Sequence, residues 1–211
     1  MKPFRPIFVA LALLVAGSSI ASAEATQWKI DPAHSEAGFT IRHFFSKVQG
    51  RFDTMSGSIV FDDQDWSKSS VEVVIDANSV NTNNQRRDAH LRTSDFFDTA
   101  NNPTITFRST KVTKIDASLF KVEGNLTMRG VTKPVVLDAT YMGQGSAGQM
   151  GTKAGFSATT KLNRQDYGIK WNKALDNGGM MLDDVVTITL DIEANKVTPE
   201  AAQAQPAGSS K

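Results

Sequence analysis

The chain has 211 residues, 40% of them hydrophobic, and its 23 Lys and Arg residues nearly balance its 22 Asp and Glu residues. That length is enough for one domain with a sizeable core. The even charge argues against a nucleic-acid binder, whose affinity depends on many cationic contacts with phosphate. The chain has no cysteine, which excludes disulfides, thiolate metal ligands and thiol catalysis.

Residues 1–23 have the pattern of an export signal. Two cations, Lys2 and Arg5, precede an apolar run at 7–16, and a small-x-small cleavage site ends at Ala23. The run is shorter than the roughly 20 residues that span a bilayer, and no later stretch is long or apolar enough to do so. We therefore predict cleavage after Ala23, export, and no stable membrane insertion.

After this leader, apolar and polar residues alternate in most segments, as they do in half-buried β-strands. The clearest case is near the end of the chain, where Val186, Ile188, Leu190 and Ile192 share one parity. The same alternation occurs at 37–43, 55–61, 71–75, 105–107, 120–128, 135–141 and 154–162. About eight long strands with short connections favour an antiparallel barrel or sandwich.

Small residues on the inward parity bear on whether such a barrel is hollow. They are Ala37, Gly57, Gly124, Ala139, Ala154 and Ala158. Small inward side chains leave volume for a ligand, but they also mark bulges and close sheet packing in solid β proteins. The alternation alone leaves both interpretations open.

The segment 83–98 departs from the strand pattern, because it combines three arginines, one histidine and three aspartates with Phe96 and Phe97. Charges spaced four apart predict a short helix of about nine residues, which is too short to be stable alone. We predict that it docks on one end of the barrel as a cap, with Arg87 and Asp88 as pair partners. The alternative use is a cationic rim for an anionic head group.

Two further stretches lie outside the alternation, 163–182 and the tail 198–211. The tail has no apolar face and is predicted to be disordered.

Enzymatic and metal sites receive little support from the sequence. The three histidines, His34, His43 and His90, include no closely spaced pair, so structural roles are favoured over metal binding. The chain has no Gly-x-Ser-x-Gly elbow. His34 and Ser35 are adjacent strand residues that point to opposite faces, so they do not form a nucleophile–base pair. No catalytic residue and no metal site is predicted.

Taken together, the motifs resemble the YceI-like family. They include Trp28-x-Ile30-Asp31-Pro32-x-His34-Ser35, Arg87-Asp88-x-His90-Leu91 and Arg164-x-Asp166-Tyr167-Gly168. The resemblance covers essentially all of the chain after the leader and assigns residues 24–197 to one domain. It implies an all-β fold, a single antiparallel lipocalin-like β-barrel of about eight strands with a short capping helix. It also implies a tunnel for isoprenoid chains and, for a member with an export signal, a periplasmic location.

The resemblance and the alternation together predict a periplasmic lipid-binding or carrier protein, not an enzyme. Its expected partner is an isoprenoid-type amphiphile, either a polyprenyl lipid or an isoprenoid quinone, with no other cofactor. The predicted tunnel wall consists of Phe39, Ile41, Phe107, Phe120, Phe156, Trp171, Met180 and Ile188. The predicted head-group rim consists of His43, Arg86, Arg87, His90 and Arg92. An exported enzyme that acts on a lipid or uses a bound quinone is the alternative, and a homodimer is left open.

Overall fold

The structure, a computed structural model, describes residues 25–176 and 178–198. The predicted export signal and all but the first residue of the predicted tail lie outside the described residues. Within the described residues, no helix is long and apolar enough to cross a membrane.

Strands dominate the described part of the chain, as the period-2 alternation predicts. In chain order the elements are β1 (Thr26–Ile30), β2 (Glu36–His43), β3 (Ser46–Phe52), β4 (Met55–Phe61), β5 (Ser70–Asp76), β6 (Val80–Asn81), α1 (Gln85–Leu91), β7 (Thr104–Lys114), β8 (Leu119–Met128), β9 (Val131–Ser146), β10 (Thr152–Asn163) and β11 (Leu182–Lys196). Short 3-10 turns lie at 66–68, 77–79, 148–150 and 164–167.

Eight of these strands close into an antiparallel ring in the order β1-β4-β5-β7-β8-β9-β10-β11, and β1 pairs with β11 to complete it. The closing register places Trp28 opposite Lys196. The other half of β11 pairs with β2, from Asp191 opposite Glu36 to Leu182 opposite His43. Strands β2, β3 and β6 therefore extend the barrel wall at one end. The predicted closed barrel is confirmed.

Helix α1 lies at this extended end, next to β6. Its N-cap residue Asn84 accepts a hydrogen bond from the Arg87 backbone N–H at 3.0 Å, which satisfies one of the free N–H groups of the first turn. The helix has seven residues, fewer than the nine predicted. It packs against β6, the last strand of the sheet, and the predicted capping helix is confirmed.

The small inward residues serve both of the purposes that the sequence left open. Ala158 lines a cavity. By contrast, a side chain at Gly124 would collide with the Phe107 ring, and one at Gly57 would collide with the Glu72 carbonyl. The two glycines are thus sites of close packing, while Ala37, Ala139 and Ala158 border the open volume.

Candidate functional site

A large cavity opens at the end of the barrel that carries α1. Its volume is about 770 Å³, which is within the range of small-molecule sites. Most of its wall is apolar: Phe39, Ile41, Val48, Phe52, Leu91, Phe96, Phe97, Met128, Leu162, Ile169, Trp171, Met181, Leu182, Val186 and Ile188. Its polar lining residues are His43, Asn84, Arg86, Arg87, His90 and Arg164. We call this space the mouth cavity.

A second space of about 170 Å³ lies in the barrel interior and is called the inner cavity. It shares four lining residues with the mouth cavity, namely Phe52, Met128, Leu162 and Ile188. The two spaces therefore adjoin along these residues, and together they outline an apolar path from the mouth into the barrel.

Aromatic rings close the far end of this path. Phe61, Phe120 and Phe156 line the inner cavity. Behind them Trp66 packs edge-on against Phe61 and Phe120, with ring centroids 5.5 and 5.0 Å apart. Trp66 is only 4% exposed. The path therefore carries its charged side chains at the mouth and is closed and apolar at its other end.

The predicted wall residues divide between the two cavities. Phe39, Ile41, Trp171 and Ile188 line the mouth cavity, and Phe107, Phe120, Phe156 and Ile188 line the inner cavity.

Met180 is the wall candidate that the structure places elsewhere. Its side chain is 53% exposed and lines neither cavity. Met180 forms an isolated antiparallel bridge with Ala174, and adjacent extended residues point to opposite faces. Its neighbour Met181 therefore faces the mouth cavity instead.

Among the rim candidates, Arg86 lies on the exposed face of α1 and lines the mouth cavity. Within the described ranges 25–176 and 178–198, its guanidinium makes no hydrogen bond or ion pair with another residue. A planar group with five donors is suited to an anionic or carbonyl-bearing head group. Arg86 is thus the rim cation that is free to bind a ligand.

Arg87 also lines the mouth cavity, but its donors are used inside the protein. Its Nε donates to Thr82 Oγ1 at 2.7 Å, and its Nη2 donates to the Thr82 carbonyl at 2.8 Å. The buried Asp88 carboxylate accepts hydrogen bonds from the backbone N–H and the hydroxyl of the same threonine. The expected Arg87–Asp88 pair is thus indirect, because both side chains hold α1 to the residue that follows β6.

Arg92 does not reach either cavity. Its Nε and Nη2 donate to the carbonyl oxygens of Asn78 and Val80, at 2.8 and 2.9 Å. These bonds tie the end of α1 to β6 and to the 3-10 turn that precedes it. The rim position predicted for Arg92 is therefore wrong, because backbone acceptors turn its guanidinium away from the opening.

His90 and His43 both lie at the mouth, as predicted. His90 Nε2 is 2.8 Å from Asp95 Oδ2, and its ring meets the rings of Phe96 and Trp171 edge-on at 5.0 and 5.1 Å. His90 therefore joins α1 to the loop that carries Trp171. His43 instead packs its ring against Phe44, at 4.8 Å.

Arg164 is a site residue whose role the sequence did not reveal. It is 3% exposed. Its Nη1 donates to the carbonyls of Ile169 and Trp171, both at 2.8 Å, its Nε donates to the Asp183 carbonyl at 2.9 Å, and its Nη2 meets Asp184 Oδ1 at 3.0 Å. One guanidinium thus holds both ends of the segment 169–184, which supplies Trp171 and Met181 to the wall.

A separate polar cluster lies where β1, β10 and β11 meet, away from both cavities. Asp31, His34 and Glu193 place three carboxylate or imidazole ligand atoms within 4.8 Å of one another. Lys153 Nζ lies 3.0 Å from both Asp31 Oδ2 and Glu193 Oε1, so an ammonium already occupies the position of a cation. The hydrogen bonds from Lys153 and then from His34 hold the pKa of the Asp31 carboxyl well below its usual range. This cluster stabilises the seam of the barrel.

Comparison with known proteins identifies the family. The sequence profile of the YceI-like domain matches residues 28–194. The chain belongs to the YceI-like family. A UPF0312 protein of Pseudomonas paraeruginosa is 42% identical over 166 residues, which are 76% of this chain and 86% of that protein.

Solved structures show the same YceI-like fold. The Campylobacter jejuni YceI protein is 34% identical, with a TM-score of 0.63 over 74% of this chain and 90% of that one. A polyisoprenoid-binding domain from Saccharophagus degradans shares the fold at 16% identity and a TM-score of 0.59, over 82% of this chain and 100% of that domain.

Two of the three motifs through which the sequence resembles the YceI-like family build the scaffold of the mouth. Arg87 and Asp88 hold α1, and Arg164 holds the loop opposite. The free cation of the rim, Arg86, is not among them.

Proposed function

We propose that this protein is a periplasmic carrier that holds one isoprenoid-type lipid, with the tail in the two adjoining cavities and the head group at the mouth. The observation that carries the proposal is the shape of the site. One apolar path runs from a mouth with a free arginine to an end closed by aromatic rings.

Burial of the tail supplies the affinity. Each buried CH₂ contributes about 0.8 kcal/mol, so several isoprene units bind firmly without any hydrogen bond in the interior. The inner cavity is lined by Ile, Val, Leu and Phe side chains along most of its surface. Such a wall discriminates weakly between similar tails, because one methylene changes binding by only about 1–3 kcal/mol. Total path length therefore sets selectivity.

The head group binds at Arg86. This guanidinium has free donors at the opening. By contrast, Arg87 donates hydrogen bonds to Thr82, and Arg92 donates to the carbonyls of Asn78 and Val80. A phosphate or a quinone carbonyl would accept from Arg86 without displacing any protein contact.

Two further observations support the ligand class and the compartment. The structurally similar protein from Saccharophagus degradans is a polyisoprenoid-binding domain. The pattern of residues 1–23 supports export, and Lys2 and Arg5 with the apolar run carry that inference.

Solvent extraction of the gently purified, detergent-free protein, followed by mass spectrometry, tests the proposal. We expect about one prenyl lipid per chain, since the path holds a single tail. A matched preparation of a surface variant, Lys161→Phe, should yield the same lipid. An empty extract from protein purified under the same conditions would contradict the proposal.

A further inference from the structure

The turn between β2 and β3 exposes two aromatic side chains. His43 pairs with Ser46 across the hairpin, so Phe44 and Phe45 form a two-residue turn. Phe45 is 93% exposed and Phe44 is 38% exposed. Together with the exposed Met180 they form an apolar cluster that we call the mouth tip.

The backbone of the mouth tip is held in place although Phe45 belongs to neither hydrophobic cluster of the described residues. Phe44 adopts a φ of 50°, a backbone region that aromatic residues rarely occupy and that Asn or Gly would fill without strain. Its N–H donates to the Met181 carbonyl at 2.9 Å, so the hairpin is fastened to the segment that carries Met180. The sequence therefore places large apolar groups where small polar ones would suit the turn better.

Unpaired cations surround the mouth tip. Arg42 and Lys47 lie directly opposite each other, one register step from the turn, and like charges in this position destabilise a sheet. Lys170 lies beside Phe44 and Met180 in an adjoining groove, and Lys173 accepts at its carbonyl from the Met181 N–H. In the described part of the chain, none of these four cationic side chains forms an ion pair.

The acidic residues of the same groove offset these cations only in part. Asp184 is paired with Arg164 at 3.0 Å. The Asp183 carboxylate accepts from the backbone N–H groups of Asp184 and Val185, at 2.7 and 3.3 Å, and keeps its negative charge, so the four cations outnumber it. The surface around the mouth tip is therefore an exposed apolar point with an excess of positive charge.

We propose that the mouth tip docks this protein on an anionic phospholipid bilayer, with Phe45 inserted among the acyl chains and the four cations against the head groups. Apolar side chains flanked by Lys and Arg are suited to this interface. His43, Met181 and Leu182 line the mouth cavity next to the tip, so docking brings the opening to the membrane surface. Passage of a lipid from bilayer to barrel rests on the proposed function, whereas docking does not.

Vesicle flotation tests the docking, with protein that begins at Glu24, after the predicted cleavage site. We expect binding to vesicles of phosphatidylcholine mixed with phosphatidylglycerol, weaker binding to phosphatidylcholine alone, and a decrease as salt is raised. Phe45→Ser should lower partitioning about tenfold, because the main inserted side chain is lost. The control is Ile115→Ser, which removes an exposed apolar side chain from the β7–β8 turn at the far end and should change nothing.

The charge contribution is tested separately. Arg42→Gln with Lys47→Gln should weaken binding about fivefold for each cation removed. The charge-matched control, Lys29→Gln with Lys121→Gln, changes the other half of the barrel and should leave binding unaltered. As a positional measurement, the fluorescence that Phe45→Trp adds to that of the three native tryptophans should be quenched by brominated lipid, while the fluorescence that Ile115→Trp adds should not.

Three results would overturn the proposal: no binding of the unaltered protein to anionic vesicles, equal loss in Phe45→Ser and Ile115→Ser, or a dimer in sedimentation velocity that Phe45→Ser dissociates. The last would make the mouth tip an interface between two copies of the chain. Retention of a prenyl lipid by Phe45→Ser, measured by mass spectrometry, keeps this test distinct from that of the carrier function.

Discussion

Arg86 and Arg87 are neighbours in the sequence, yet their guanidinium groups have different surroundings. Arg87 donates twice to Thr82, and Arg86 donates to no described residue. We predict that Arg87→Ala lowers the free energy of unfolding by about 1–3 kcal/mol, because it leaves a carbonyl and a hydroxyl without a charged donor. Chemical denaturation measures this loss.

Arg86→Ala is the matched change, and it should act on binding rather than on folding. Its free energy of unfolding should stay within about 0.5 kcal/mol of the unaltered protein. Its affinity for a prenyl phosphate should fall about fivefold to tenfold, because a charge-assisted contact is lost. Equal affinities in a fluorescent-lipid displacement assay would contradict the assignment of Arg86 to the head group.

The Asp31 cluster makes stability depend on pH. The folded protein holds the pKa of Asp31 below the ordinary value of 3.8, chiefly through Lys153. A lowered pKa contributes stability above the unfolded value, and that contribution is lost as pH falls. We predict that Asp31→Asn is less stable than the unaltered protein at neutral pH, and that the difference shrinks below about pH 4. Thermal unfolding of both proteins, measured from neutral pH to below pH 4, checks this prediction. A difference in stability that does not change with pH would refute the role of Asp31.

At the scale of elements, the two sides of the mouth are held by different sets of hydrogen bonds. Thr82 and its two partners fix α1, and Arg164 fixes the segment 169–184. His90 links the two sides through its ring contacts with Trp171 and Phe96. The opening is therefore a scaffold in which each side depends on one buried charged side chain.

Arg164→Ala tests this dependence. It leaves the carbonyls of Ile169, Trp171 and Asp183 without their donor, which should lower the free energy of unfolding by about 3 kcal/mol and expose 169–184 to proteolysis. The control, Arg108→Ala, removes an exposed pair with Glu72 and should cost less than about 1 kcal/mol. Similar proteolysis of both variants would show that Arg164 does not hold the segment.

At the scale of the whole molecule, the strands of the barrel could be predicted because each one is indicated by the alternation of its own residues. Val186, Ile188 and Leu190 alternate with polar residues, and that period alone indicates a strand with one buried face. The closing pair between β1 and β11 joins residues from opposite ends of the chain, and no local pattern specifies it. The prediction that the barrel closes came from the resemblance to the YceI-like family.

The site was less predictable, because its residues are distinguished by their partners. Arg86, Arg87 and Arg92 are alike in sequence, and only the positions of Thr82 and the Val80 carbonyl separate their roles. Met180 and Met181 differ by the parity of an irregular segment, where periodicity gives no guidance. Gly124 and Ala158 both read as small inward residues, although one packs under a ring and the other borders open space.

The central claim is that one lipid tail occupies both cavities, and the chain length of the bound lipid tests it most directly. Ala158→Phe fills part of the inner cavity of about 170 Å³, at a cost of about 1–3 kcal/mol in stability. Mass spectrometry of extracts should then show shorter prenyl chains with the same head group. Lys161→Phe, which adds the same ring on the exposed face of β10, should leave the lengths unchanged. An unchanged distribution in Ala158→Phe would contradict the claim.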